Sequence, residues 1–180
     1  MVNEPVESDV RDLILGLCAV IPDYPKPGIV FRDLTPVFAD GPAFHRVVEA
    51  LVASFPEPFD AVVGVEARGF LLAAAAAAFS GTGVVTIRKP GKLPREVYAE
   101  DYALEYGTGT LELHRDDLAP GSRVVILDDV LATGGTLSAA RRLLARAEVE
   151  VVGLGVVLEL EELHGRDALP GEQVHSLVRL

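Results

Sequence analysis

Asp128 and Asp129 close an apolar run, Val124-Val125-Ile126-Leu127, and Ala132-Thr133-Gly134-Gly135-Thr136 follows almost at once. Glycines let the backbone turn with positive φ and bring N–H groups close to an anion with no Cβ in the way. A helix begun at such a loop adds unpaired N–H groups and about half a positive charge at its N-terminus. A phosphomonoester fits that cup. Two carboxylates beside it would repel the phosphate, so they suit sugar hydroxyls or a divalent metal. The implied ligand carries a phosphate and a diol. Asp-Asp alone is usually a strand end and Gly-Gly alone a turn; their succession after an apolar strand is what points to a ligand. The chain has no Gly-x4-Gly-Lys-Ser/Thr, and no Gly-x-Gly-x-x-Gly follows a strand, so the common nucleotide fingerprints are excluded.

Other segments carry complementary chemistry. Arg88-Lys89-Pro90-Gly91-Lys92 is the densest cationic cluster of an acidic chain and sits where the apolar run Val84–Ile87 ends. Glu66-Ala67-Arg68-Gly69 likewise follows an apolar run, and its N–H groups with Arg68 could meet an anion; a local Glu66–Arg68 ion pair is the plainer reading of those four residues alone. Both loops suit a diphosphate at one edge of a sheet. Phe31 beside Arg32 suits a flat aromatic ring with polar groups at its rim.

These loops need a scaffold, and the patterning supplies one. Ser8 is a candidate cap for a helix through Val10, Leu13, Ile14, Leu17 and Cys18. Residues 21–32 hold Pro22, Pro25 and Pro27, which predicts an irregular, stiff loop, and Thr35-Pro36 closes it. Gly41-Pro42 opens a helix with Phe44, Val47, Val48, Leu51 and Val52 on its apolar side. Ala61–Val65 and Val124–Leu127 read as buried strands, Val84–Ile87 as a further strand and Val149–Leu158 as a long apolar one, with Phe70–Phe79 and Leu137–Ala147 as helices between them. Tyr102–Tyr106 and Thr110–His114 read as hairpin arms around Gly107-Thr108-Gly109, with few large apolar residues to hold them down. Such a hairpin can act as a mobile flap that excludes water from a reactive centre. Val174–Val178 is a candidate edge strand. The fold class is therefore α/β: a mainly parallel twisted sheet flanked by helices, with a small N-terminal hood (about 1–35) and a flexible β-hairpin flap (about 93–114) in one domain over 1–180.

Composition narrows the class. A chain of 180 residues buries roughly 70% of its unfolded surface and needs no covalent staples. Cys18 is the only cysteine, which rules out an intrachain disulfide and suits a reducing, cytoplasmic setting. We expect no targeting segment, since the N-terminus is acidic, and no membrane span, since the apolar run Phe70–Phe79 is too short. The net charge of −11 argues against nucleic-acid binding.

The 128–136 stretch resembles the phosphoribosyl-diphosphate loop of the type I phosphoribosyltransferases. Ile21–Asp33, Gly64–Phe70, Arg88–Pro94 and Leu104-Glu105-Tyr106-Gly107 extend the resemblance, in order, to the adenine-specific branch of that family over roughly residues 8–180. The resemblance implies transfer of the phosphoribosyl group from phosphoribosyl diphosphate to adenine, giving AMP and diphosphate, with Mg2+ and in a homodimer. It places Ala132, Thr133, Gly134, Gly135 and Thr136 on the 5′-phosphate. Asp128 and Asp129 fall on the ribose and, directly or through water or substrate, on the metal. Ala67, Arg68, Arg88, Lys89 and Lys92 fall on the diphosphate, and Val30, Phe31, Arg32 and Leu160 on adenine. Glu105, with Arg68, is implied in catalysis, and Tyr106 accompanies Glu105 on the flap. Ala73, where the family often has glycine, and Val130, where leucine is usual, are the departures. Two rivals remain at this point: a regulatory relative that binds phosphoribosyl diphosphate without transfer, and a transferase for another purine base.

Overall fold

The structure, a computed structural model, describes residues 4–104 and 107–180. Helix α1 (Glu4–Leu17) begins ahead of Ser8, so Ser8 lies inside the helix and does not cap it. Val10 and Ile14, one turn apart, are buried, and the Cys18 N–H closes the end on the Ile14 carbonyl at 2.8 Å. The proline-rich segment is not irregular throughout. Strands β1 (Ala19–Pro22) and β2 (Val30–Asp33) pair antiparallel, Ile21 with Phe31 and Pro22 with Val30. Pro22 is tolerated at the end of an isolated two-stranded ribbon because its missing N–H breaks no inner ladder; Pro25 and Pro27 lie in the connection. Helix α2 (Thr35–Ala39) was not legible as an element: Pro36, read as a closing residue, sits in its first turn, where proline needs no N–H partner. Helix α3 (Gly41–Ala53) is capped by Asp40, whose carboxylate accepts the Ala43 N–H at 2.9 Å, and buries Val47, Val48 and Leu51.

From there strand and helix alternate: β3 (Ala61–Val65), α4 (Gly69–Ser80), β4 (Gly83–Ile87), then the hairpin β5 (Val97–Leu104) and β6 (Gly107–His114), then β7 (Arg123–Leu131), α5 (Gly135–Arg146), β8 (Glu150–Glu159), two 3-10 turns (Glu161–Leu163 and Gly165–Ala168) and β9 (Val174–Arg179). The main sheet has the order β4-β3-β7-β8-β9, and every neighbouring pair is parallel. Residues alternate between its two cores along β7. Val124 and Ile126 pack with α5 and the hairpin, whereas Val125 and Leu127 pack with α1, α3 and α4. The chain steps from β3 to β4 on one side and returns to β7 on the other, so the order reverses between β3 and β7. Loops leaving the carboxyl ends of those two strands enclose a crevice, the usual ligand position of such sheets.

Two details of the sequence reading are corrected. Asp128 and Asp129 do not follow the strand but belong to it, because β7 continues to Leu131 and pairs Val130 with Leu158. Gly107–Gly109 do not form the hairpin turn: β5 and β6 pair as far as Leu104 with Gly107, and Gly109 stands opposite Tyr102, where an added Cβ would lie 2.8 Å from the phenol ring. The root of the hairpin is also well held. Leu111 and Leu113 are buried in the α5-side core, Tyr98 and Tyr102 pack on it, and Arg142 of α5 binds Glu100 at 2.7 Å.

Candidate active site

Four loops meet at the carboxyl edge of the sheet: Glu66–Arg68 after β3, Arg88–Lys92 after β4, Ala132–Gly134 after β7 and Leu160 after β8. Their approach depends on absent side chains. A Cβ at Gly64 would lie 2.7 Å from the Gly69 carbonyl and 2.8 Å from the Ala73 Cβ, and one at Gly69 would lie 2.8 Å from the Leu127 carbonyl oxygen. Helix α4 thus starts directly against β3 and β7, and Ala73 fills the space Gly64 leaves.

Two of the cations, Arg68 and Arg88, are already paired. Arg68 Nε lies 2.6 Å from Asp129 Oδ2, which makes no aligned hydrogen bond, so the contact is ionic. The same guanidinium stands 5.7 Å from the Phe31 ring centroid, within cation–π range. Phe31 of the hood, Arg68 and Asp129 are therefore one contact chain. Glu66 does not pair with Arg68 as its neighbour in sequence; it accepts Arg88 Nε at 3.2 Å and the Lys89 N–H at 3.0 Å. Burial pushes the Glu66 carboxyl up, but the Lys89 N–H and the Arg88 guanidinium outweigh it and hold it below the usual range. The Gly91 N–H donates to Glu112 Oε2 at 3.0 Å, which fastens the cationic loop to β6. Lys89 and Lys92 are exposed, as is Ala67, and the Glu66–Ala67 peptide bond is cis.

At the end of β7, Asp128 Oδ1 accepts the Asp129 N–H at 2.9 Å. Burial, and then the neighbouring Asp129 charge, push the Asp128 carboxyl well above the usual range; burial also raises Asp129, with Arg68 opposing it. Asp129 is buried and Asp128 half-buried, and two carboxylates this close with little water call for a cation or hydroxyl donors. Among the described residues no group of three or more His, Cys, Asp or Glu side chains converges. A hard cation at Asp128 and Asp129 would thus draw its remaining oxygens from ligand and water, which suits magnesium. The loop itself turns at Gly134, with φ +79°, and Gly135 opens α5. The first helical N–H to reach a backbone carbonyl is that of Ser138, 2.9 Å from Gly134 O; the N–H groups before it are the ones a helix start leaves for an anion. Thr133 is exposed and Thr136 half-buried in the first turn.

Val30 is exposed and Phe31 and Arg32 are half-buried on β2. Leu160 is half-buried, and its N–H donates to the Leu131 carbonyl at 3.0 Å, beside the loop. Glu105 and Tyr106 lie outside the described residues. Sequence reasoning missed Glu66 as the brace of the cationic loop, and Gly165, whose carbonyl oxygen would be 2.2 Å from a Cβ on Gly134. No local pattern marks either one, because their partners lie in loops distant in sequence.

A glycine loop at a helix start, an acidic pair and a cationic loop at the switch point of a parallel sheet have the chemistry of a sugar-phosphate site. The family model described as the phosphoribosyl transferase domain matches residues 38–169, and the chain belongs to that family. Its relatives place it within one branch. An adenine phosphoribosyltransferase of Renibacterium salmoninarum is 69% identical over 178 residues, covering 99% of this chain and 97% of that protein. The crystal structure of adenine phosphoribosyltransferase from Thermoanaerobacter pseudethanolicus superposes with a TM-score of 0.90 at 44% identity, covering 93% of this chain and 98% of the other. The Saccharomyces cerevisiae enzyme, solved with an imino-altritol bisphosphate and adenine, has the same TM-score at 35% identity, covering 95% and 99%. This chain therefore stands among the adenine phosphoribosyltransferases.

Proposed function

We propose that the protein performs purine salvage: it transfers the 5-phosphoribosyl group of phosphoribosyl diphosphate to adenine, giving AMP and diphosphate. The observation that carries this reading furthest is the chain Phe31–Arg68–Asp129, which joins the proposed base, diphosphate and ribose subsites through one guanidinium. In the reaction the adenine nitrogen bonds to C1′ as the C1′–diphosphate bond breaks, and positive charge develops on the sugar. Arg68, Arg88, Lys89 and Lys92, with the Ala67 backbone, receive the departing diphosphate. Arg68 and Arg88 must exchange Asp129 and Glu66 for phosphate oxygens, so those acids also keep the cations apart and oriented before substrate arrives. Asp128 and Asp129 hold the ribose hydroxyls, and Ala132–Thr136 the 5′-phosphate. Val30, Phe31, Arg32 and Leu160 enclose adenine. Glu105 accepts the base proton or supports the sugar charge, with Tyr106 beside it. Magnesium, when bound near Asp128 and Asp129, supplies charge neutralisation of the diphosphate.

Two further elements complete the proposal. Leu71 and Phe79 on α4 are exposed at 52% and 47%, and Val84 on the edge strand β4 at 49%; these exposed apolar side chains support a homodimer. No helix among the described residues is long and apolar enough to cross a membrane, and the one free thiol, Cys18, suits the cytoplasm; recovery of the native protein with membranes on fractionation would overturn that setting. Turnover of adenine, hypoxanthine and guanine by the purified protein, with and without a magnesium chelator, tests the activity. Adenine should be preferred, chelation should stop turnover, and Glu105→Ala should lower kcat far more than it weakens phosphoribosyl-diphosphate binding. Equal use of all three bases overturns the adenine assignment, and binding of phosphoribosyl diphosphate without turnover favours a regulatory protein.

A further inference from the structure

Glu159, at the end of β8, is 4% exposed yet charged. Arg166 grips it with both prongs, Nε at 2.6 Å from Oε1 and Nη2 at 2.8 Å from Oε2, while the Ser176 hydroxyl and Arg179 also approach Oε2. Arg166 Nη1 donates to the Val174 carbonyl at 3.1 Å, so one side chain ties the 3-10 turn to both β8 and β9. The hydrogen bond from Arg166 holds the Glu159 carboxyl below its usual range.

What the pair holds lies on either side of it. Gly165, immediately before Arg166, is jammed against the phosphate loop: a Cβ on Gly134 would be 2.2 Å from its carbonyl oxygen, and its own Cβ would be 2.2 Å from the Ala132 carbonyl oxygen. Leu160, immediately after Glu159, donates its N–H to Leu131, the residue that enters the loop. His164, between the two 3-10 turns, sits at φ +51°, a conformation a non-glycine residue keeps only when its surroundings hold it. The ion pair therefore closes residues 159–166 into a bracket whose two ends both press on the loop. A buried ion pair adds little net stability over apolar packing, whereas a bidentate fork fixes orientation.

We propose that Glu159 and Arg166 are positioning residues that set the shape of the 5′-phosphate cradle at Ala132–Thr136 without touching substrate. The inference rests on the reading of that loop as the cradle. The 5′-phosphate is remote from C1′ and is held alike in ground and transition states, so loosening its cradle raises KM and leaves kcat nearly alone.

Steady-state kinetics and calorimetric AMP binding on Arg166→Met, well below its melting temperature, test this. A displacement of the loop of about an ångström should raise KM for phosphoribosyl diphosphate and Kd for AMP about tenfold or more. The value of kcat should stay within about threefold. Arg166→Lys, which keeps the charge but loses the fork, should show a smaller shift in the same direction, and it carries the test if Arg166→Met does not fold. Unchanged KM and Kd in the folded variants, with only a lower melting temperature, overturn the proposal and leave a scaffold role. Thr136→Val separates the two readings. If it weakens AMP binding while the Arg166 variants do not, the positioning role alone falls; if it leaves AMP binding unchanged, the cradle reading falls and the positioning role with it.

Discussion

Replacing Gly134 with alanine adds one methyl group and should disable the phosphate loop. Two costs add. At φ +79° an L-residue loses about 1–2 kcal/mol relative to glycine. The new Cβ would also stand 2.2 Å from the Gly165 carbonyl oxygen and 2.9 Å from the Ala168 Cβ. The first partner is backbone and cannot rotate away, so ordinary contact at 3.4 Å requires a movement of 3.4 − 2.2 = 1.2 Å between the loop and the 3-10 turn. Overpacking of that kind costs about 1–3 kcal/mol. The sum, about 2–5 kcal/mol, lowers the melting temperature by roughly 5–20 °C for a chain of this length. A misplacement of about 1 Å in a substrate-positioning element costs on the order of 100-fold in kcat/KM. Gly121→Ala is the matched control. Gly121 has φ +81° but nothing within 4 Å of an added Cβ, so it should show only the conformational cost and normal kinetics. Calorimetric melting and kcat/KM for phosphoribosyl diphosphate, measured on both variants, decide the matter. If Gly134→Ala melts and turns over like Gly121→Ala, the packing of Gly134 on Gly165 does not shape the loop.

Acid should weaken the 159–166 bracket. Because the folded-state pKa of Glu159 lies below its ordinary value, the contribution of its ion pair is fully present above the ordinary glutamate range and is lost as pH falls through the lowered folded value. Glu159→Gln should therefore melt lower than the parent at neutral pH and converge with it in acid; parallel melting curves at every pH would contradict this. On α4, Leu71→Arg combined with Phe79→Arg should yield monomers in sedimentation, since two charges at these exposed positions cannot be buried without partners. A dimer that survives both changes does not use this face.

Much of this protein was decided along the chain itself. The apolar runs at Ala61–Val65, Val84–Ile87 and Val149–Leu158, with the helical patterns between them, specify a parallel α/β sheet because strands covered by helices carry little polar alternation, even though Val84 on the edge strand stays exposed. Asp128-Asp129 and Ala132–Thr136 are contiguous, so strand, acids, glycine turn and helix start could be read as one phosphate site. The Leu104–Gly107 and Ile21–Asp33 stretches pointed to the base by resemblance. What the chain could not reveal is who holds whom. Arg68 and Glu66 are near neighbours in sequence, yet one pairs with Asp129 on β7 and the other with Arg88 just after β4, because the parallel sheet brings β3 between β4 and β7. Leu111 and Leu113 looked too isolated to anchor a hairpin until Ile87 and Ile126 were packed beside them. Gly134 required positive φ for a local reason, but it also required Gly165, a residue from beyond the next strand. Backbone conformation and periodicity are local and leave marks in sequence. Ion pairing and close approach depend on which strands become neighbours, and only the tertiary structure sets that.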